Sequence, residues 1–192
     1  VSEDLTARLE AILRRAPTLM RVLETACELD LPDWLLFSGA IYQRVLNDLT
    51  GRDPDYGIRD YDLGYFDASD ISYEAEDMVI REVASAFEPP LREMVEVRNQ
   101  ARVHVWFEGK FGEPYEPLTS SGEALARFTS TTFAVGARLE ADGRMTIFAP
   151  FGLEDIFALR LRPNPIRETN GFLRTAEAAR KRWPELTIVS EA

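Results

Sequence analysis

The chain has 192 residues, 45% of them hydrophobic and 29% charged, enough for one domain with its own core and ordinary for a globular protein. No run of 18 or more apolar residues occurs, so no membrane span is expected, and the single cysteine, Cys27, excludes an internal disulfide. The formal net charge of −11 disfavours binding along a long nucleic acid, and the lone histidine, His104, leaves too few soft ligands for structural zinc.

The first residues, VSEDLTARLEAILRRAP, are charged throughout and lack the apolar centre of a secretory leader, which predicts a cytoplasmic protein. Ser2 to Ala16 predicts a helix capped by Ser2, with Leu5, Leu9, Ile12 and Leu13 on one face. Pro17 marks a break, and Thr18 is expected to cap a second helix through Glu28. Cys27 falls on that helix, where a buried thiol is expected rather than a reactive one. Trp34 to Phe37 is a short apolar run that suits a buried strand and ends at Ser38-Gly39. Ala40 to Leu49 then takes helical spacing, with Gly51 as its stop. Arg52 to Arg59 reads as a loop and Tyr61 to Phe66 as a strand. Tyr73 to Phe87 reads as a helix closed by Pro89-Pro90.

Two further strands are expected at Glu93 to Val97 and Arg102 to Glu108, joined by the polar turn RNQA. A short helix lies around Glu123 to Phe128. Phe133 to Leu139 and Met145 to Ala149 form a hairpin across ADGR. Gly152 to Leu159 and Thr169 to Trp183 are the last helices, the second stopped by Pro184. Between Arg160 and Arg182 the chain carries seven basic and two acidic residues, a segment that could meet phosphates but is expected rather to pair with acidic neighbours. Early alternation of strands and helices, followed by an antiparallel part, predicts a mixed sheet flanked by helices in a single α/β (α+β) domain. Its parts are N-terminal helices over 1–30, a mixed-sheet core over 33–159, and a basic C-terminal helix and tail over 160–192.

The candidate chemistry is acidic. With 13 aspartates in the chain, a D-x-D match is cheap, and two occur: Asp53-Pro54-Asp55 and Asp60-Tyr61-Asp62. The first holds a proline and lies in a loop. The second opens a strand, where residues i and i+2 project from one face. Two carboxylates so placed repel one another unless a cation sits between them. The alternatives are a divalent metal site and a pair of solvated aspartates. Oxygen donors point to Mg²⁺ or Mn²⁺. Upstream, a strand that ends in Ser38-Gly39 and opens a helix presents free backbone N–H groups, which suit a phosphate. The conjunction of a phosphate cradle and paired carboxylates describes metal-assisted phosphoryl or nucleotidyl transfer.

The stretches FSGAIYQ and RDYDLGYFD together resemble the DNA polymerase beta-like nucleotidyltransferase superfamily. SYEAED, VRNQARVHVWF, APFGLEDIF and RPNP resemble more specifically a bacterial group of nucleotidyltransferase family proteins, over about Asp33 to Trp183. The resemblance implies a nucleotidyltransferase-like mixed sheet, an NTP substrate, and Mg²⁺ (or Mn²⁺) held by Asp60 and Asp62. It implies a triphosphate held at Ser38 and Gly39. It also implies a third carboxylate on a neighbouring strand. The best strand for that carboxylate is Arg102 to Glu108, whose central position holds His104, a departure from the pattern; His104 is either a base or ligand, or a packed residue. Arg44, Arg98 and Asn99 are further candidates for phosphate or base contacts, with turn-forming roles as the alternative for Arg98 and Asn99. Aspartyl-phosphate hydrolases fit poorly, because Tyr56-Gly57-Ile58-Arg59 is not the apolar strand they need. Metal-dependent glycosyltransferases need a longer upstream region. A domain that keeps the transferase fold and binds a nucleotide or a partner without chemistry is the competing reading. The acceptor is not legible.

Overall fold

The computed structural model describes residues 4–168 and 170–189. Helix α1 runs Leu5–Arg14 and is capped by Asp4, whose Oδ1 accepts from the Thr6 and Ala7 amides at 3.0 and 3.2 Å; the predicted cap Ser2 lies outside the described residues. Helix α2, Pro17–Leu29, begins on its proline, which is pre-set for a first helical position, so Thr18 lies inside the helix and caps nothing. Strand β1, Leu35–Phe37, leads into α3, Gly39–Thr50, which stops at Gly51 in the left-handed conformation (φ 67°). Strand β2, Tyr61–Tyr65, is followed by α4, Tyr73–Ser85, capped by Ser72. A single-turn helix, α5 (Leu91–Met94), precedes β3, Val95–Asn99.

A 3-10 turn, Gln100–Arg102, then opens α6, Val103–Phe111, which ends at Gly112 (φ 71°). This corrects the sequence reading: Arg102 to Glu108 is not a strand, and Arg98 and Asn99 finish β3 rather than form a turn. Asn99 explains the change of course. Its side-chain oxygen accepts the Ala101 amide at 3.0 Å, a capping bond that turns the chain out of the sheet. The rest comprises α7 (Ser121–Leu125), β4 (Gly136–Leu139), β5 (Met145–Phe148), α8 (Glu154–Phe157), β6 (Arg160–Leu161), α9 (Phe172–Arg182) and β7 (Thr187–Ile188).

The main sheet has the order β3-β2-β1-β4-β5. The β2–β3 pair is parallel and the other pairs antiparallel, so the sheet is mixed as predicted. Strands β6 and β7 form a separate parallel pair, with Arg160 opposite Thr187, that sequence reading missed.

Alternation divides the sheet into two faces. Leu36, Tyr61, Leu63, Tyr65, Val97 and Ala137 join the main core with α1, α2, α3, α4 and α9. Leu35 and Phe37 point the other way, into a smaller cluster with Leu118, Ala124 and Leu125. The two-faced burial explains why β1 reads as a continuous apolar run. On the smaller face Gly64 lies under Phe37, and a Cβ there would collide with the Phe37 ring. Four residues of the basic segment are paired: Arg160 and Arg162 donate to Asp155 at 2.8 and 3.0 Å, Arg167 to Glu113 at 2.7 Å, and Arg180 to Glu177, within the segment, at 3.0 Å.

Candidate functional site

The site is set by register. Phe37 pairs with Asp62 across β1 and β2, which brings the end of β1, and so Ser38, to the Asp60–Asp62 end of β2. On the other side of β2, Asp62 pairs with Glu96 and Gly64 with Arg98. Partners in register share a face, so Asp62, Glu96 and Arg98 project together beside the smaller cluster. Asp60 lies two residues before Asp62 and is exposed, as is Asp62.

The electrostatics agree with this grouping. The Asp62 carboxyl is pushed up to about 6, first by burial and then by the charges of Asp60 and Glu96, with Arg98 pulling the other way. Solvent reaches Asp62, while the protein packed beside it disfavours its charged form. Three carboxylates with one guanidinium form an oxygen donor set that suits a hard divalent cation. Among the described residues, no three acidic, histidine or cysteine side chains already close on one point as a metal cage.

Ser38 links the strand to the helix through a backbone that side-chain-bearing residues seldom adopt (φ 49°, ψ −98°). Three bonds hold it there. Its N–H donates to Val135 O at 2.7 Å, and its carbonyl accepts from Ile41 and Tyr42 at 2.9 Å each. The amides of Gly39 and Ala40 have no acceptor among the described residues, as expected for the first turn of a helix. The Ser38 side chain does not cap α3. An anion that reached this end would meet N–H groups and the positive end of the helix dipole.

Other sequence candidates lie elsewhere. Arg44 is buried and anchors the 52–59 loop: it pairs with Asp55 at 2.7 Å and donates to Pro54 O at 3.2 Å and Tyr61 Oη at 2.8 Å. That contact also shows the first D-x-D at work as loop structure, with Asp53 Oδ1 accepting the Asp55 amide at 2.9 Å. Asn99 is buried; its side chain accepts the Asp67 amide at 3.0 Å and donates to Asp67 O at 2.8 Å. Its own amide donates to Glu76 at 2.8 Å, and Glu76 is held by Arg102 at 2.5 Å. Asn99 thus ties the end of β2 to β3. His104 sits on α6, beyond the end of β3. Its Nδ1 is shielded and has no hydrogen-bond partner among the described residues. The strand beside β2 is β3, and the residue opposite Asp62 is Glu96.

Sequence reasoning missed Glu96. The signal was present: in VEVRN, Glu96 and Arg98 alternate with Val95 and Val97, a charged face backed by an apolar one.

The loop that delivers Asp60 is also clamped. Asn47 Nδ2 donates to Pro54 O at 3.1 Å and Tyr56 O at 2.9 Å, while Trp183 Nε1 donates to Asn47 Oδ1 at 2.8 Å. Arg182 donates to Gly57 O at 3.0 Å. Two surface concavities lie away from the carboxylates: about 720 Å³ between Asp4 and Glu154, and about 270 Å³ beside Arg15 and Arg52. The carboxylates themselves occupy a sheet face rather than either concavity.

A family model described as nucleotidyltransferase matches residues 24–188. A structure determined by NMR and described as a CCA-adding enzyme head domain is 25% identical, with a TM-score of 0.74, and the match covers 94% of this chain and 95% of that one. A CCA-adding enzyme in complex with CTP is 14% identical, with a TM-score of 0.56, and the match covers 95% of this chain but 43% of that one, a likeness of fold. No curated protein matches the chain in sequence.

Proposed function

The chain belongs to the nucleotidyltransferase family, and on that premise we propose that it moves a nucleotidyl group from an NTP to an acceptor hydroxyl with the help of Mg²⁺ or Mn²⁺. The observation that carries the reading is the register that sets Asp62 opposite Glu96 and beside the α3 N-terminus. CTP, the nucleotide in the complex of the fold neighbour, is the first NTP to test.

In this reading the Gly39 and Ala40 amides receive the β and γ phosphates, and the strained Ser38 turn holds those amides in place. Asp60 and Asp62 are the residues that would hold a divalent ion, with Glu96 the third carboxylate. Such an ion, when bound, supplies charge stabilisation for the phosphates. Glu96 takes the proton of the acceptor hydroxyl as its oxygen bonds the α phosphorus and the bond to pyrophosphate breaks. Arg98 balances part of the acidic charge. The net charge of −11 disfavours a long nucleic acid as acceptor. No helix of the described residues is long and apolar enough to cross a membrane, and the proposed place of action is the cytoplasm.

The second reading is binding of a nucleotide without transfer. Calorimetry with each NTP, with and without Mg²⁺, tests the proposal. Mg²⁺-dependent binding that Asp62→Asn abolishes supports it, and binding unchanged in that variant refutes it. Tight binding in the wild type without pyrophosphate release over a panel of hydroxyl acceptors selects the second reading.

A further inference from the structure

The two edges of the main sheet differ. An edge strand turns half of its backbone N–H and C=O groups away from its neighbour, and proteins close or guard such a row. At the β3 edge the protein's own side chains do so. The Asn99 amide donates to Glu76 at 2.8 Å, and Val97 O accepts from Arg98 Nη1 at 2.7 Å.

At the β5 edge, register shows which groups face out. The Glu140 amide donates to Arg144 O at 2.8 Å, so that pair is bonded across the hairpin. Bonded and non-bonded pairs alternate along an antiparallel ladder. Arg138–Thr146 and Gly136–Phe148 are therefore bonded pairs, and Leu139–Met145 and Ala137–Ile147 are not. The bond from the Ser38 amide to Val135 O fixes the same phase from the β1 side. Met145 and Ile147 thus present their N–H and C=O groups at the edge, where none of these groups has a partner among the described residues. Met145–Phe148 holds no proline, no charged residue and no bulge to keep a second strand away.

Charge and shape select the occupant. The chain carries −11, so two copies repel over most of their surface, but the β4–β5 hairpin is neutral: Arg138 and Arg144 balance Glu140 and Asp142. When a second β5 lies antiparallel about a two-fold axis at Thr146, Met145 stands opposite Ile147 of the second copy and exchanges both backbone bonds with it. That register satisfies every outward group on both copies. Its side chains agree as well. Met145 and Ile147 both pack on the main core face and meet as apolar neighbours. Thr146 meets its own copy, and the exposed Arg144 stands opposite Phe148, with no like charges opposed. Ile147 and Ala149, with Leu5 and Leu153, line the concavity of about 720 Å³. The residue set opposite Ile147, on that same face, is the second copy's Met145, a flexible side chain suited to filling gaps.

We infer that β5 is a self-association edge, through which two copies join β5 to β5 and merge their main sheets into one. The inference is independent of the nucleotide reading: β2 and β3, which carry the carboxylates, lie at the other side of each sheet and stay open.

The test is sedimentation equilibrium of the whole chain over a range of concentrations, on wild type, Ile147→Pro, Thr146→Lys and Thr146→Glu, with thermal melting to show that each folds. Wild type is expected to dimerise. Ile147→Pro removes one outward N–H and leaves the bonds to β4, and Thr146→Lys sets two like charges face to face; each is expected to weaken the dimer about tenfold or more. Thr146→Glu alone behaves likewise, and mixing it with Thr146→Lys restores a mixed dimer. That rescue carries the test if the proline variant does not fold. A wild type that is monomeric at every concentration overturns the inference and leaves the edge to an extended segment of another protein. A dimer of wild-type strength in folded Ile147→Pro and Thr146→Lys overturns it, because the contact then lies elsewhere. Weakening in both charge variants without rescue in their mixture overturns it too, because Thr146 then does not face its own copy.

Discussion

Asp62→Asn is expected to stabilise the metal-free protein at neutral pH while destroying its site. The Asp62 carboxyl is raised from 3.8 to about 6, chiefly by burial and then by Asp60 and Glu96. A folded pKa above the unfolded one means that the folded chain holds this proton more tightly. The associated stability is therefore fully present below the unfolded value and is lost as pH rises through about 6. Two pK units correspond to a ceiling of about 3 kcal/mol. Solvent reaches the side chain, so screening reduces this to about 1 kcal/mol. Asparagine has the same shape and no charge, and removes the penalty. In a domain of this size that amounts to a melting temperature about 2–4 °C above wild type at pH 7.5 in a chelating buffer. The difference should shrink steadily toward pH 4. Added Mg²⁺ should then raise the wild type and leave the variant where it was. Equal melting at pH 7.5, or a gap that persists undiminished at pH 4, would refute the electrostatic account of the site.

Glu96→Gln is expected to weaken Mg²⁺-supported CTP binding about tenfold, as loss of one charge from the set implies, whereas His104→Ala should change it less than twofold by the same calorimetry. Equal losses in the two variants would return His104 to the site. Gly64→Ala should cost about 1–3 kcal/mol in urea unfolding, because the new methyl meets the Phe37 ring. Pairing it with Phe37→Leu should recover much of that loss. Asp155 accepts from Thr131, Arg160 and Arg162; although burial alone raises its carboxyl, these bonds outweigh it and hold the pKa below the ordinary value. Its contribution is thus present above the unfolded pKa and lost as pH falls. Asp155→Ala should destabilise by about 2–3 kcal/mol at pH 7 and approach wild type in acid, as followed by urea unfolding at several pH values.

Where local chemistry decides structure, the sequence is a good guide. The apolar spacing of α1, α2 and α3, the stop at Gly51 and the hairpin at ADGR all follow from periodicity and turn residues. Asp62 falls on a strand as read, and Asp60 lies just before it. The failure at ARVHVWFEGKF has a specific cause. Val103, Val105 and Phe107 alternate with period two, so the segment imitates a strand, while its apolar residues wrap round a helix without favouring one side. Only the brackets betray the helix: Asn99 before it and Gly112 after it, with Asn99 bonded to the Ala101 amide. That error hid the third carboxylate. With Arg102 to Glu108 read as the neighbouring strand, His104 takes the place opposite Asp62 that belongs to Glu96. Arg44 was hidden for a different reason. A cation one turn into the helix after Ser38-Gly39 suits phosphate on sequence grounds, and only the fold shows that Asp55, Pro54 and Tyr61 claim its guanidinium. The β6–β7 pair joins two-residue strands through contacts distant in sequence, which no local pattern announces.

The clamp on the 52–59 loop has a consequence for how the protein is made. Trp183 donates to Asn47 across 136 positions, and Asn47 in turn grips the loop that leads into Asp60. During synthesis the sheet strands and α3 leave the ribosome long before residue 183 does. Until then the loop before the acidic strand lacks its Arg182 contact, and Asn47 lacks its Trp183 partner. Trp183, at the end of α9, therefore acts as a clasp on the loop that leads into Asp60, fastened only once residue 183 has been made.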